Sequence, residues 1–168
     1  MLQRLRTARA VTLTGAGGCG KTRLALRVAA LAETGFGNGA GLVELAPLTD
    51  PALVPASVAQ ALGVSERDMP TPTAGLVGAL AHHELLVVLD NCEHVLEGAA
   101  GLVATLLAQC RRVRFLATSR DAWMFPASWS SRCRRWDCRP TARPRRSPRP
   151  RPACCSQPGP VRPVRPSN

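Results

Sequence analysis

Apolar residues fall in short blocks along the first three quarters of the chain, and the spacing inside successive blocks alternates between two periods. Ala10–Thr14 is a β-branched, apolar run that predicts a buried strand. From Lys21 the spacing becomes helical, with Leu24, Val28 and Leu31 on one face beside Ala25 and Ala29, and Gly35 placed to stop the helix. Residues 41–46 predict a second strand, ended by Pro47, and Asp50 before Pro51 is a helix start running to about Leu62, with Gly63 closing it. A polar link over 65–72 leads to a short helix capped by Thr73 and carrying Leu76, Leu80 and Ala81. Residues 85–89 are continuously aliphatic, as a central parallel strand covered on both faces requires. Val95, Ala99, Leu102 and Leu106 then form one helical stripe, with Leu96, Val103 and Leu107 beside it, and residues 113–118 predict a fourth strand. Strands alternating with helices imply an α/β fold, a parallel sheet flanked by helices and joined by right-handed crossovers.

That pattern stops after Pro126. The 168 residues are enough for one domain with a real core. The net charge of +11 suggests a nucleic-acid binder until its distribution is read. Up to Pro126 there are eleven basic and ten acidic residues; from Ala127 there are eleven arginines and a single acid, Asp137. The chain therefore divides into a near-neutral body, 1–126, and an Arg/Pro-rich tail, 127–168, which is expected to stay disordered. Of seven cysteines, Cys19, Cys92 and Cys110 lie in the body and none has the paired spacing of a zinc site. Cys92 with His94 is half a metal site at best, and ordinary packing is the simpler reading. No apolar run reaches membrane-spanning length and none begins like a signal peptide, so a soluble, cytoplasmic protein without membrane contact is expected.

Candidate chemistry sits where predicted strands end. "GAGGCGKT", Gly15 to Thr22, matches G-x-x-x-x-G-K-[ST] between a strand and a helix. In such a loop the main-chain amides of Gly15, Gly17, Gly18, Cys19 and Gly20 cradle phosphates, which side chains would obstruct. Lys21 supplies a mobile positive charge, and the Thr22 hydroxyl is placed for Mg²⁺. Asp90 follows the third strand, where an open α/β sheet has its ligand crevice, and can support the same metal. The neighbouring Asn91 stands where many hydrolytic ATPases carry a carboxylate, and an amide cannot take a proton. Glu93 can substitute for that carboxylate, or cap or solvate the next helix. Arg120, in Thr118-Ser119-Arg120 after the fourth strand, can reach a terminal phosphate or lie plainly on the surface.

Four segments, "VTLTGAGGCGKTRLAL", "LVELAPLTDPALVPASVAQALGV", "LLVVLDNCEHVLEGA" and "FLATSRDAW", together resemble the nucleotide-binding domain of STAND-type P-loop ATPases. The resemblance is strongest to the branch found in large bacterial transcriptional regulators of the LuxR and antibiotic-regulatory types, related to NB-ARC domains, and covers about residues 4–126. It implies a P-loop NTPase fold and a molecular switch driven by ATP binding and slow hydrolysis, with DNA contacted only through other domains of a longer chain. By the same likeness Lys21 and Thr22 bind phosphate and Mg²⁺, Asp90 supports the metal, and Arg120 is the sensor arginine. Ala16 and Cys19 stand where such loops often have Pro and Val.

The tail departs from the family, which continues with a Gly-Glu turn, a strand and a "VPPL" run. It can be a basic arm for nucleic acid, a proline-stiffened linker, or GC-rich coding sequence read out of frame. GC-rich codons chosen for residues 127–141 and read from the third base give "ELVVPVPPLGLPPD", the family's expected continuation, which favours the last reading. Sheets of this family run in the order 5-1-4-3-2. A truncated switch domain, weakly active or inactive and lacking its fifth strand and helical subdomain, is therefore expected, with the first strand an open edge able to pair with other chains.

Overall fold

The computed structural model describes residues 2–32, 35–65, 70–120 and 129–132. A short helix, α1 (Leu2–Thr7), precedes strand β1 (Ala10–Thr14), the glycine loop and helix α2 (Lys21–Ala32). Strand β2 (Ala40–Glu44) follows, then a 3₁₀ turn over Pro51–Leu53, α3 (Val54–Ala61) and α4 (Pro72–Leu80). Strand β3 (Leu86–Asp90), a second 3₁₀ turn over Cys92–His94, α5 (Leu96–Gln109) and β4 (Arg114–Ser119) complete the body, and β5 (Trp129–Arg132) closes the sheet. All neighbouring strands are parallel, in the order β2-β3-β4-β1-β5.

The order explains the layering. From β1 the chain crosses to the far edge at β2, then steps back through β3 to β4 beside β1. Right-handed crossovers in opposite directions put their helices on opposite faces. Accordingly α2, with α1, packs on one face through Leu5, Ala25, Val28 and Ala32 against Val11, Leu13, Leu86, Val88 and Leu116. Helices α3, α4 and α5 cover the other, where Val58, Leu76, Leu80, Val103 and Leu106 meet Val87, Leu89, Phe115 and Ala117. Alternate residues of one strand thus feed different cores, and β1 and β3 are buried at every position. Each fully buried Val, Leu or Phe contributes about 1.5–3 kcal/mol relative to exposure. Arg9 ties β1 to α5, donating to the carbonyls of Leu107 at 2.7 Å and Cys110 at 2.5 Å at that helix's C-terminal end.

The first strand is not an open edge. Residues 129–132, from the segment assigned to the tail, lie parallel to β1 in the register Val11 with Trp129 through Thr14 with Arg132. This corrects the expected missing fifth strand, and with it self-association through an exposed β1. Edge pairing uses main-chain N–H and C=O groups, which any short run without proline supplies. The poverty of aliphatic residues in the tail bears on core burial rather than on pairing. The expectation of disorder for the rest of the tail falls on residues 121–128 and 133–168, outside the described residues.

Candidate nucleotide-binding site

Because the strands are parallel, the carboxyl ends of β1, β3 and β4 open on the same edge of the sheet, and each carries one predicted element of chemistry. The loop after β1 turns through Gly18 and Gly20, at φ +72° and +90°, a region that a side chain enters only at a cost. Among the described residues, the amides of Gly17, Gly18 and Gly20 donate to no backbone acceptor. The loop leads straight into α2, whose first-turn N–H groups and positive dipole end face the same space. Lys21 is almost fully buried and its Nζ donates to the carbonyls of Gly15 at 2.8 Å and Ala16 at 3.0 Å. Free amides, an ammonium and a helix N-terminus together make a cradle for anionic oxygens.

Asp90 ends β3 and is buried, with 5% of its surface exposed. Its carboxylate accepts from the Thr22 hydroxyl at 3.0 and 2.9 Å and from the Thr118 hydroxyl at 2.5 Å. Thr22 and Asp90, separated by 68 positions in sequence, are therefore in direct contact. The donor set is one hydroxyl and one carboxylate, all oxygen, which suits a small hard cation. The structure thus unites Gly15, Gly17, Gly18, Cys19, Gly20, Lys21, Thr22 and Asp90 in one place.

One partner of Asp90 was not legible in the sequence. Thr118 is fully buried on β4; it donates to Asp90 and accepts from the Asn91 amide at 3.0 Å. The β3–β4 register, which pairs Leu89 with Ala117, sets these residues side by side when continued by one step. Asn91 adopts φ 60°, ψ 53°, the left-handed conformation that asparagine tolerates better than most residues. Its place after Asp90 is thereby explained by the turn, independently of proton transfer.

Arg120 lies at the same edge with its guanidinium beside the loop: a Cβ on Gly17 would sit 3.8 Å from Arg120 Cζ and Nε. Its Nε is 3.0 Å from Glu93 Oε1, the Arg120 side chain being 68% exposed and that of Glu93 17%. Arg120 is thus neither remote from the loop nor an unattached surface residue, and Glu93 pairs with it rather than capping α5.

Cys92 and His94, the other candidate pair, each lie against a main-chain carbonyl. Burial first, and then the charges of Asp90 and Glu93, push the Cys92 thiol up to about 12, and its Sγ lies 3.5 Å from the Leu89 carbonyl. His94 Nε2 lies 2.9 Å from the carbonyl of Leu45. No group of three or more His, Cys, Asp or Glu able to hold a metal occurs among the described residues. Burial also raises the Cys110 thiol, against a lowering by Arg9. No described helix is long and apolar enough to cross a membrane.

No protein-family profile matches the chain. It is 42% identical over 113 residues to a protein of Mycobacterium tuberculosis (strain ATCC 25618 / H37Rv) named "Putative HTH-type transcriptional regulator", a match spanning 67% of this chain and 13% of that protein. An uncharacterized protein of the same strain is 39% identical over 118 residues, 70% of this chain and 30% of its own length. The chain thus matches less than a third of either relative. Among solved structures it is similar to the Aeropyrum pernix ORC2 protein in ADPNP–ADP complexes, with TM-score 0.51 and 22% identity over 72% of this chain and 38% of that one. It is also similar to Cdc6p from Pyrobaculum aerophilum, with TM-score 0.51 and 17% identity over 67% and 32% of the two chains. These likenesses show the fold, that of P-loop ATPases.

Proposed function

We propose that this chain is the nucleotide-binding switch domain of a STAND-type transcriptional regulator, of the LuxR and antibiotic-regulatory branch, and that it takes ATP with Mg²⁺. The observation carrying the reading is the direct contact of Thr22 with Asp90 beside the glycine loop. The name of the 42% identical relative and the ADPNP and ADP in the ORC2 complexes support it from outside the chain. In this reading the amides of Gly15, Gly17, Gly18, Cys19 and Gly20 hold phosphate oxygens, and Lys21 neutralises the terminal phosphates. Thr22 and Asp90 would hold Mg²⁺, which when bound offsets phosphate charge. Arg120 reads the terminal phosphate. Asn91 offers no proton acceptor, so hydrolysis is slow or lost. DNA recognition is assigned to parts of the longer relatives outside the matched segment, and the whole is a cytoplasmic protein.

Equilibrium titration with ATP·Mg tests the reading. Lys21→Ala is expected to lower affinity at least about tenfold, the loss of a charge-assisted phosphate contact, while retaining its helical circular dichroism. Unchanged affinity would overturn the phosphate-loop assignment. The eleven arginines of the tail favour a second reading, nucleic-acid binding; it gains ground instead if steeply salt-dependent binding disappears on removing residues 127–168.

A further inference from the structure

The pair Glu93–Arg120 is not absorbed by the reading above, which uses the arginine and leaves the acid without a task. Glu93 sits on the 3₁₀ turn directly after the Asp90 strand, and Arg120 directly after β4. Their contact therefore joins two of the strand ends that build the site. Glu93 uses one oxygen, Oε1, on Arg120 Nε; its other oxygen, Oε2, is buried and has no partner among the described residues. A buried carboxylate oxygen without a partner is costly and calls for an explanation. The contact is made at Nε, along one side of the guanidinium plane, and anchors the group at that point. That plane lies against the phosphate loop, with Nη2 4.0 Å from the place a Cβ on Gly17 would occupy.

We propose that Glu93 is a positioning residue for Arg120: it holds the guanidinium over the phosphate loop so that the site distinguishes a nucleoside triphosphate from a diphosphate. The inference rests on the nucleotide reading above. A long, largely exposed arginine on its own loses rotamer freedom each time it engages a phosphate. Fixed beforehand by a carboxylate, it has less to lose, so the benefit falls on whichever nucleotide the arginine reaches.

The test is equilibrium binding of a non-hydrolysable ATP analogue and of ADP, both with Mg²⁺, to the full chain and to E93Q, R120K and the double variant. E93Q is expected to weaken the analogue about two- to fivefold more than ADP, within the range of a partly exposed ion pair. R120K, which lacks the Nε donor, is expected to give a similar selective loss. E93Q in the R120K background should add nothing to it, the signature of residues acting as one unit. If E93Q fails to fold, E93D, which keeps the charge and shortens its reach to Arg120, is measured in its place and is expected to show the same selective loss. Equal weakening of both nucleotides by E93Q would make Glu93 merely structural and overturn the inference, as would an unchanged or higher preference for the analogue. If the parent chain binds neither nucleotide, the nucleotide reading and this inference fall together; if it binds both and the variants show no selectivity change, this inference falls alone.

Discussion

Replacing Thr118 by valine removes one hydroxyl and keeps the shape. The side chain is fully buried, so the missing oxygen is not replaced by solvent without opening the sheet edge. Two bonds disappear, the 2.5 Å donation to Asp90 and the 3.0 Å acceptance from the Asn91 amide. A hydrogen bond to a charged group is worth about 1.5–3 kcal/mol, and a stranded buried N–H costs about 1–3 kcal/mol. The two overlap, because Asp90 keeps Thr22 as a donor and the turn at Asn91 can relax. A loss of about 3 kcal/mol is therefore expected, a large part of a total stability of about 5–15 kcal/mol. With a urea slope of about 1–3 kcal/mol per molar, the unfolding midpoint should fall by roughly 1–3 M at an unchanged slope. Thr118→Ser, which keeps the hydroxyl and drops one methyl, should cost only about 1 kcal/mol. If valine costs no more than serine, or stays within about 0.5 kcal/mol of the parent like an ordinary surface change, the polar bridge between β3 and β4 is not a stabilising element and the argument is wrong.

Other outcomes follow from the same contacts. A Cβ at Gly98 would run into the Pro51 carbonyl, so Gly98→Ala should destabilise by about 1–3 kcal/mol in urea unfolding despite alanine's better helix propensity. Asn91→Gly should be nearly neutral, whereas Asn91→Ala should cost about 1 kcal/mol by the same measurement, since only the first relieves the left-handed backbone. The Cys92 thiol, about 12 in the fold against 9.0 unperturbed, stays protonated in the native state while the unfolded chain ionises. Its contribution is therefore fully present below pH 9 and lost as pH rises toward 12; unfolding free energies over that window should decline less steeply in Cys92→Ala.

The glycine loop was legible because its chemistry is local: motif, preceding strand and following helix are contiguous, and β1 and α2 begin where the apolar period changes. Asp90 could be found for a similar reason, at the end of an aliphatic run, although the structure includes it as the last residue of β3. Thr71, not Thr73, caps α4, accepting from Ala74 N at 3.2 Å; Pro72 at the first helical position was the sign that the cap lies before it. Thr118 and the Glu93–Arg120 pair escaped because they depend on which strand ends are neighbours and in what register, and residue spacing carries little of that. Strand β5 escaped for the opposite reason. Its pairing asks little of its side chains, so composition was a poor guide to it.

The account depends most on Asp90 and Thr22 sharing a cation at the phosphates, and titrating ATP with and without Mg²⁺ measures that directly. The parent chain should bind ATP more tightly when Mg²⁺ is present, and Asp90→Asn, matched in shape but uncharged, should lose most of that gain while still binding Mg²⁺-free ATP. An equal Mg²⁺ gain in both proteins would contradict the assignment.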